Sequence, residues 1–119
     1  MIHSIPISTG ELIDRITILK LKSSANPTEN NINQLAALMH LWNDISVEER
    51  LKIDNLMHKL LETNKELWNL EDKVRSTNND SELLNYAKQI FKKNTERNFL
   101  KKDIDKVMKS KFYEEKIYS

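Results

Sequence analysis

The chain has 119 residues, of which 39% are hydrophobic and 31% are charged, and its formal net charge at pH 7 is +1. One glycine and two prolines exclude folds built on many tight turns or on glycine-rich phosphate loops. The absence of cysteine excludes disulfides, thiolate metal sites and cysteine nucleophiles. The short length and the scarcity of glycine and proline predict a single all-α domain over residues 1–119.

The N-terminal segment 2–8 is predicted to be extended because a proline disfavours helical backbone in the residue before it. Ser8 and Glu11 then have the spacing of a capping box, which predicts a first helix over about residues 9–23. The chain does not open with a basic stretch followed by an apolar run. We therefore expect no signal peptide and a cytoplasmic location.

A second helix is predicted to begin near Pro27 and Glu29, with the proline at the first helical position, and to end near Asp44. A second capping box, formed by Ser46 and Glu49, opens the third helix. Apolar residues recur every three or four positions along all of these segments, which is the pattern of amphipathic helices.

The third helix is predicted to reach about Thr77, with Asn78 and Asn79 as the turn and Asp80 as the cap of a fourth helix over about 81–110. Two long helices joined by so short a turn lie antiparallel. The predicted fold is a long antiparallel helical hairpin joined by two shorter N-terminal helices in a four-helix cluster, with short extended segments at both ends.

The C-terminal segment 111–119 contains four aromatic or large apolar residues. We expect it to dock on the helices and to pair with the extended N-terminal segment as a two-stranded ribbon.

Polar residues interrupt the apolar stripes of the two long helices. The predicted register places Asn64 opposite Asn94, Glu71 opposite Ala87 and Arg97 opposite Leu61. Within this layer Arg97 can form a structural ion pair with Glu71, and Lys101 lies one turn beyond Arg97. The first helix can add two acids and an arginine to this layer. The complete set of candidate residues is Glu11, Asp14, Arg15, Asn64, Glu71, Asn94, Arg97 and Lys101.

These residues allow two interpretations. An unpaired buried charge is costly, so the set can form a closed structural network that fixes the register of the helices. Alternatively, bidentate arginine and a nearby lysine suit a phosphate or carboxylate, and the set then lines a pocket for a small anionic or sugar-like ligand, or a transferase-type site. That pocket would be lined by Arg97, Asn94, Lys101, Glu71 and Asp14.

Known classes of catalytic site find little support. Glu11 and Asp14 have the ExxD spacing of helical, magnesium-dependent pyrophosphatases, but Glu11 already serves the capping box. His3, His40 and His58 share no i, i+4 spacing. A helical site of the chorismate-mutase type would need several arginines to converge on a dicarboxylate, which spacing alone does not predict. We assign no catalytic residue, no metal and no cofactor.

The fourth helix is basic: between residues 88 and 111 there are nine basic residues and three acidic ones. Neither a helix-turn-helix turn nor an aromatic platform accompanies them, so a solvated face is favoured over a nucleic-acid interface. The lysines that can share an outer face are Lys88, Lys92, Lys102, Lys106 and Lys109.

Four motifs, GELIDRITILKLK, NKELWNLEDKVR, NTERNFLKKDID and EEKIYS, resemble those of an uncharacterised bacterial family, domain of unknown function 6165. The resemblance implies no established activity, and it implies an association with glycosyltransferases and surface-polysaccharide pathways. The residues that match the family pattern are Gly10, Glu11, Asp14, Ile16, Trp68, Glu71, Asp72, Arg75, Asn94, Arg97, Lys101, Glu115, Lys116 and Tyr118.

The sequence thus predicts a non-enzymatic helical interaction or accessory module. Long paired helices with leftover apolar faces often associate, so the expected partner is another protein or a second copy in a homodimer.

Overall fold

The computed structural model describes residue 3 and residues 5–109. Four α-helices follow one another in this part of the chain, as predicted: α1 (Thr9–Ala25), α2 (Glu29–Asn43), α3 (Val47–Ser76) and α4 (Asp80–Met108). The expected docking of the C-terminal segment, and its ribbon with the N-terminal segment, lie outside the described residues.

Both predicted capping boxes begin a helix. The Ser8 hydroxyl accepts a hydrogen bond from the backbone N–H of Glu11 at 3.1 Å, and the Ser46 hydroxyl accepts one from the N–H of Glu49 at 3.2 Å. Each bond satisfies one of the backbone donors that have no partner inside the helix, which fixes where α1 and α3 begin.

The other two caps differ from the prediction by one or two residues. The side chain of Thr28 caps α2, so Pro27 precedes the helix and does not occupy its first position. The side chain of Asn79 caps α4, and Asp80 is the first helical residue. Thr28 and Asn79 are themselves preferred capping residues, and Asp80 still places its negative charge at the positive end of the helix.

Helices α3 and α4 form the predicted antiparallel hairpin. The ammonium group of Lys93 lies 2.5 Å from a carboxylate oxygen of Glu66, and that of Lys73 lies 5.8 Å from the centre of the Tyr86 ring. From the first contact to the second, the residue number rises on α3 and falls on α4, so the two helices are antiparallel. Short loops and complementary apolar stripes account for this arrangement.

Helix α1 packs on α3, α4 and α2, and the backbone of α2 approaches that of α1 alone among the helices. The hydrophobic core therefore lies where α1 meets the hairpin. Its buried residues are Leu12, Ile13, Ile16, Trp42, Ile53, Leu60 and Ile104. Within the described residues, no helix has the length and apolar character needed to span a bilayer.

Candidate functional site

A buried carboxylate lies at the centre of the polar residues. The side chain of Asp14 is 1% exposed. Arg97 binds it through both arms of its guanidinium group, with Nε 2.9 Å from Oδ1 and Nη2 2.6 Å from Oδ2. Asn64 donates a third hydrogen bond, from Nδ2 to Oδ1 at 2.9 Å. One residue of α1 is thus held by donors from both long helices, and bidentate binding of this kind is strong and directional.

The amide of Asn64 also reaches Thr17. Its Nδ2 lies 2.7 Å from the Thr17 hydroxyl, which in turn donates to the backbone carbonyl of Asp14 at 2.8 Å. Both amide hydrogens of Asn64 are therefore directed at α1. The expected pairing of Asn64 with Asn94 does not form, because α1 lies against Asn64 and supplies better acceptors.

A second ion pair lies one turn away. The ammonium group of Lys101, only 7% exposed, is 2.8 Å from Oε2 of Glu11 and 3.9 Å from Oδ2 of Asp14. Arg15 binds the other oxygen of Glu11 from the exposed side, at 3.1 Å. Burial raises the pKa of the Glu11 carboxyl, but the hydrogen bonds from Lys101 and Arg15 outweigh burial and hold this pKa below its ordinary value.

The third contact joins the start of α1 to the end of α4. The backbone N–H of Gly10 donates to Oδ1 of Asp105 at 2.7 Å, and both groups are buried. A Cβ atom at position 10 would lie 2.4 Å from the carbonyl oxygen of Lys101. The only glycine of the chain is therefore required by a close approach of two helices.

The nine residues of this network, which we call the Asp14 cluster, come from three helices: four from α1, one from α3 and four from α4. Asn94 belongs to it because its Oδ1 accepts a hydrogen bond from Nη1 of Arg97 at 3.4 Å. Those of α4 are three or four positions apart and so share one side of that helix. From Gly10 to Asp14 along α1, the partners on α4 fall from Asp105 to Arg97. The Asp14 cluster consists of Gly10, Glu11, Asp14, Thr17, Asn64, Asn94, Arg97, Lys101 and Asp105.

The Asp14 cluster encloses charges of both signs. Its carboxylates belong to Glu11, Asp14 and Asp105, and its cations to Arg97 and Lys101. A buried ion is tolerated only when a partner and hydrogen bonds replace its water. The contacts described above supply those partners, so the cluster binds its own charges.

Two predicted members lie at or beyond the edge of the Asp14 cluster. Arg15 is on its solvent side. Glu71 is exposed, and the expected ion pair of Arg97 with Glu71 is replaced by that of Arg97 with Asp14. In this part of the hairpin only α3 and α4 form the seam, and the seam is narrow. On α3 the side chains of Leu70 and Val74 lie in it, whereas Glu71 remains exposed to solvent.

Three members were not predicted as site residues: Gly10, Thr17 and Asp105. Thr17 follows Asp14 by three positions and Asp105 follows Lys101 by four, so both continue a predicted row. That spacing was the available signal. Gly10 carried a signal of another kind, since it is a lone glycine inside a helix that has a strong cap.

The residues considered for metal binding or catalysis do not converge. His3, His40 and His58 are all exposed. Glu11 and Asp14 share a face of α1, but each is bound by a cation of α4. The described part of the chain contains no group of three or more histidine and acidic side chains that could hold a metal ion.

Comparison of the chain with protein-family models, with curated proteins and with solved structures gives no match. The resemblance to domain of unknown function 6165 stays a prediction. Function must therefore be inferred from the geometry of the described residues.

Proposed function

We propose that this chain is a non-enzymatic helical interaction or accessory module. The observation that supports the proposal is the closure of the Asp14 cluster, in which the groups best suited to ligand binding or catalysis are engaged with one another. Arg97 and Lys101, the cations that would recognise an anion, lie 2.6 Å and 2.8 Å from carboxylate oxygens of α1.

Binding of an anion at this place would require Arg97 to leave Asp14. The carboxylate of Asp14 would then remain buried without its main partner, and an uncompensated buried charge is strongly unfavourable. The network interpretation has no such difficulty, because every charge in it has a partner. The geometry therefore favours the structural role over the ligand pocket.

An interaction module also needs a surface that a partner can cover, and the long helices offer exposed apolar side chains. Val47 and Leu51, one turn apart on α3, are 62% and 71% exposed. Adjacent large apolar side chains that are exposed to solvent are typical of surfaces that bind another protein. The partner we propose is a protein or a second copy of the chain, in the cytoplasm. The family resemblance adds a link to surface-polysaccharide pathways.

The variant Arg97→Ala tests the role of the Asp14 cluster. Removing the guanidinium strands the Asp14 carboxylate, so we expect the free energy of unfolding in urea to fall by about 3–5 kcal/mol. The matched control is Arg75→Ala, since Arg75 pairs with Asp72 at an exposed site. That variant should lose no more than about 1 kcal/mol.

The ligand alternative is tested with inorganic phosphate and glucose 1-phosphate. Neither should raise the melting temperature of the wild-type protein if the cluster is closed. If phosphate does stabilise the wild type, and Arg97→Ala abolishes that effect while its own melting temperature is unchanged, the proposal is wrong. The cluster would then be a site for a small anionic or sugar-like ligand, lined by Asp14, Asn94, Arg97 and Lys101.

A further inference from the structure

The solvent side of α4 carries three large apolar side chains. Leu84, Phe91 and Phe99 are 58%, 76% and 60% exposed. With about 3.6 residues per turn, spacings of seven and eight place them along one side of the helix. Their exposure shows that no other described helix covers them. A ridge of this kind has no role in the core.

Lysines lie on the same side of α4, between and beyond these apolar residues. Lys88, Lys92 and Lys106 are exposed, and the ammonium group of Lys102 lies 5.6 Å from the centre of the Phe99 ring. We call this surface the basic apolar face. It consists of Leu84, Lys88, Phe91, Lys92, Phe99, Lys102, Lys106 and Lys109.

The acidic residues of the same stretch are directed elsewhere. Asp105 is buried against Gly10. Glu96 binds Lys93, which also binds Glu66 of α3 and so lies at the hairpin seam. Asp103 remains at the margin of the face. The basic apolar face therefore has a strong positive charge although the whole chain is nearly neutral.

We propose that the basic apolar face binds the surface of an anionic lipid bilayer, with α4 lying flat along it. Phenylalanine and leucine side chains enter the boundary between headgroups and acyl chains, while the lysines beside them reach the anionic headgroups. From Leu84 to Lys106 the face is roughly 33 Å long, at about 1.5 Å per residue. Both partners in this contact are extended surfaces, and their charges are opposite in sign.

Other occupants fit the face less well. Single-stranded nucleic acid is bound in grooves that follow its backbone, and a helix that reads duplex DNA presents polar side chains to base edges. The basic apolar face is the outer side of one helix, and its apolar side chains lie among its lysines. A protein partner would leave most of the lysines with no favoured position unless it were itself strongly acidic. The inference goes beyond the proposed function, because it concerns a different surface from Val47 and Leu51.

Cosedimentation of the full chain with vesicles tests the inference. The probes are vesicles of phosphatidylcholine alone and vesicles that also contain phosphatidylglycerol. We expect the wild-type protein to bind the anionic vesicles at least tenfold more tightly, and added salt to weaken that binding. Binding to both kinds equally, or to neither, would overturn the proposal.

Two variants locate the contact. The double variant Phe91→Ser, Phe99→Ser should lose at least tenfold in affinity for anionic vesicles. Its control is Ile32→Ser, Leu41→Ser, which changes exposed apolar residues on α2 and should bind as the wild type does. Equal losses in the two double variants would show that the contact is not on α4.

Charge is tested separately. Replacing Lys88, Lys92 and Lys106 with glutamine should weaken binding by about fivefold for each lysine. The control replaces three exposed lysines of α3, namely Lys52, Lys59 and Lys65, and should retain most of the affinity.

Two further measurements distinguish other occupants. Tighter binding to a single-stranded oligonucleotide than to anionic vesicles, lost in the phenylalanine variant, would replace the bilayer with nucleic acid. Self-association in lipid-free sedimentation equilibrium, abolished by the same variant, would replace it with a second copy. None of these results depends on Arg97, so this inference and the proposed function can fail independently.

Discussion

The hairpin has two parts that differ in what covers them. In the proximal part, residues 47–64 and 94–108, α1 lies against both long helices, and Ile53, Leu60 and Ile104 are fully buried. In the distal part, residues 65–93, the two helices have only each other, and the described residues of α4 there are all at least partly exposed. Two packed helices can bury only a narrow row of side chains between them. A third helix is needed to bury a wider layer of side chains.

The difference explains where polar residues are tolerated inside. Asp14 and Asn64 are buried in the proximal part, where three helices surround them and supply partners. In the distal part, the buried residues of the long helices are apolar, namely Leu67 and Leu70 of α3. Polar side chains are buried where a third helix supplies their partners.

The largest effect is expected for Asp14→Ala. Its removal leaves the cations of Arg97 and Lys101 without their shared acceptor in the proximal part, so the free energy of unfolding should fall by about 3–5 kcal/mol in a urea titration. Asp72→Ala, which breaks an exposed pair in the distal part, should cost less than about 1 kcal/mol. Similar losses in both variants would show that the two parts do not differ in this way.

An intermediate effect is expected for Gly10→Ala. The added methyl group would meet the backbone of α4, because its position lies 2.4 Å from the Lys101 carbonyl oxygen. Separating the two helices to relieve the contact should destabilise the protein by about 1–3 kcal/mol, measured by thermal or urea unfolding. As a control, Asn85→Ala in the distal part should change stability by about 0.5 kcal/mol or less. A stable Gly10→Ala protein would mean that α1 can shift freely on α4.

The smallest effect concerns pH. Hydrogen bonds from Lys101 and Arg15 lower the pKa of Glu11 in the folded protein, against the opposing effect of burial. The stability that this carboxylate contributes is therefore complete above its unfolded pKa of about 4.3, and it is lost as the pH falls through the lower folded value. The difference in unfolding free energy between wild type and Glu11→Gln should shrink as urea titrations move from neutral pH to below about pH 4. A difference that stays constant over this range would contradict the assigned pairing.

The sequence predicted the four helices because periodicity and caps are local signals. Ser8 and Ser46 mark helix starts through side-chain bonds to residues three positions away, and these need no knowledge of the fold. The antiparallel hairpin also followed, since a short turn leaves little choice of direction.

The contents of the Asp14 cluster were harder to predict. A register drawn across the hairpin can pair α3 with α4, and it placed Asn64 opposite Asn94. It cannot show where α1 lies, and the position of α1 decided that Asn64 binds Asp14. Glu71 was assigned to the seam because the spacing does not reveal how narrow the seam is at that point, where Glu71 is exposed.

The close contact between the first and last helices has a consequence for synthesis. Asp14 and Arg97 are 83 positions apart, and Gly10 and Asp105 are 95 apart. While the chain grows on the ribosome, the carboxylate of Asp14 must stay hydrated until the segment that contains Arg97 has emerged. The turn end of the hairpin can close earlier, but the polar layer is completed only when all of α4 has left the ribosome.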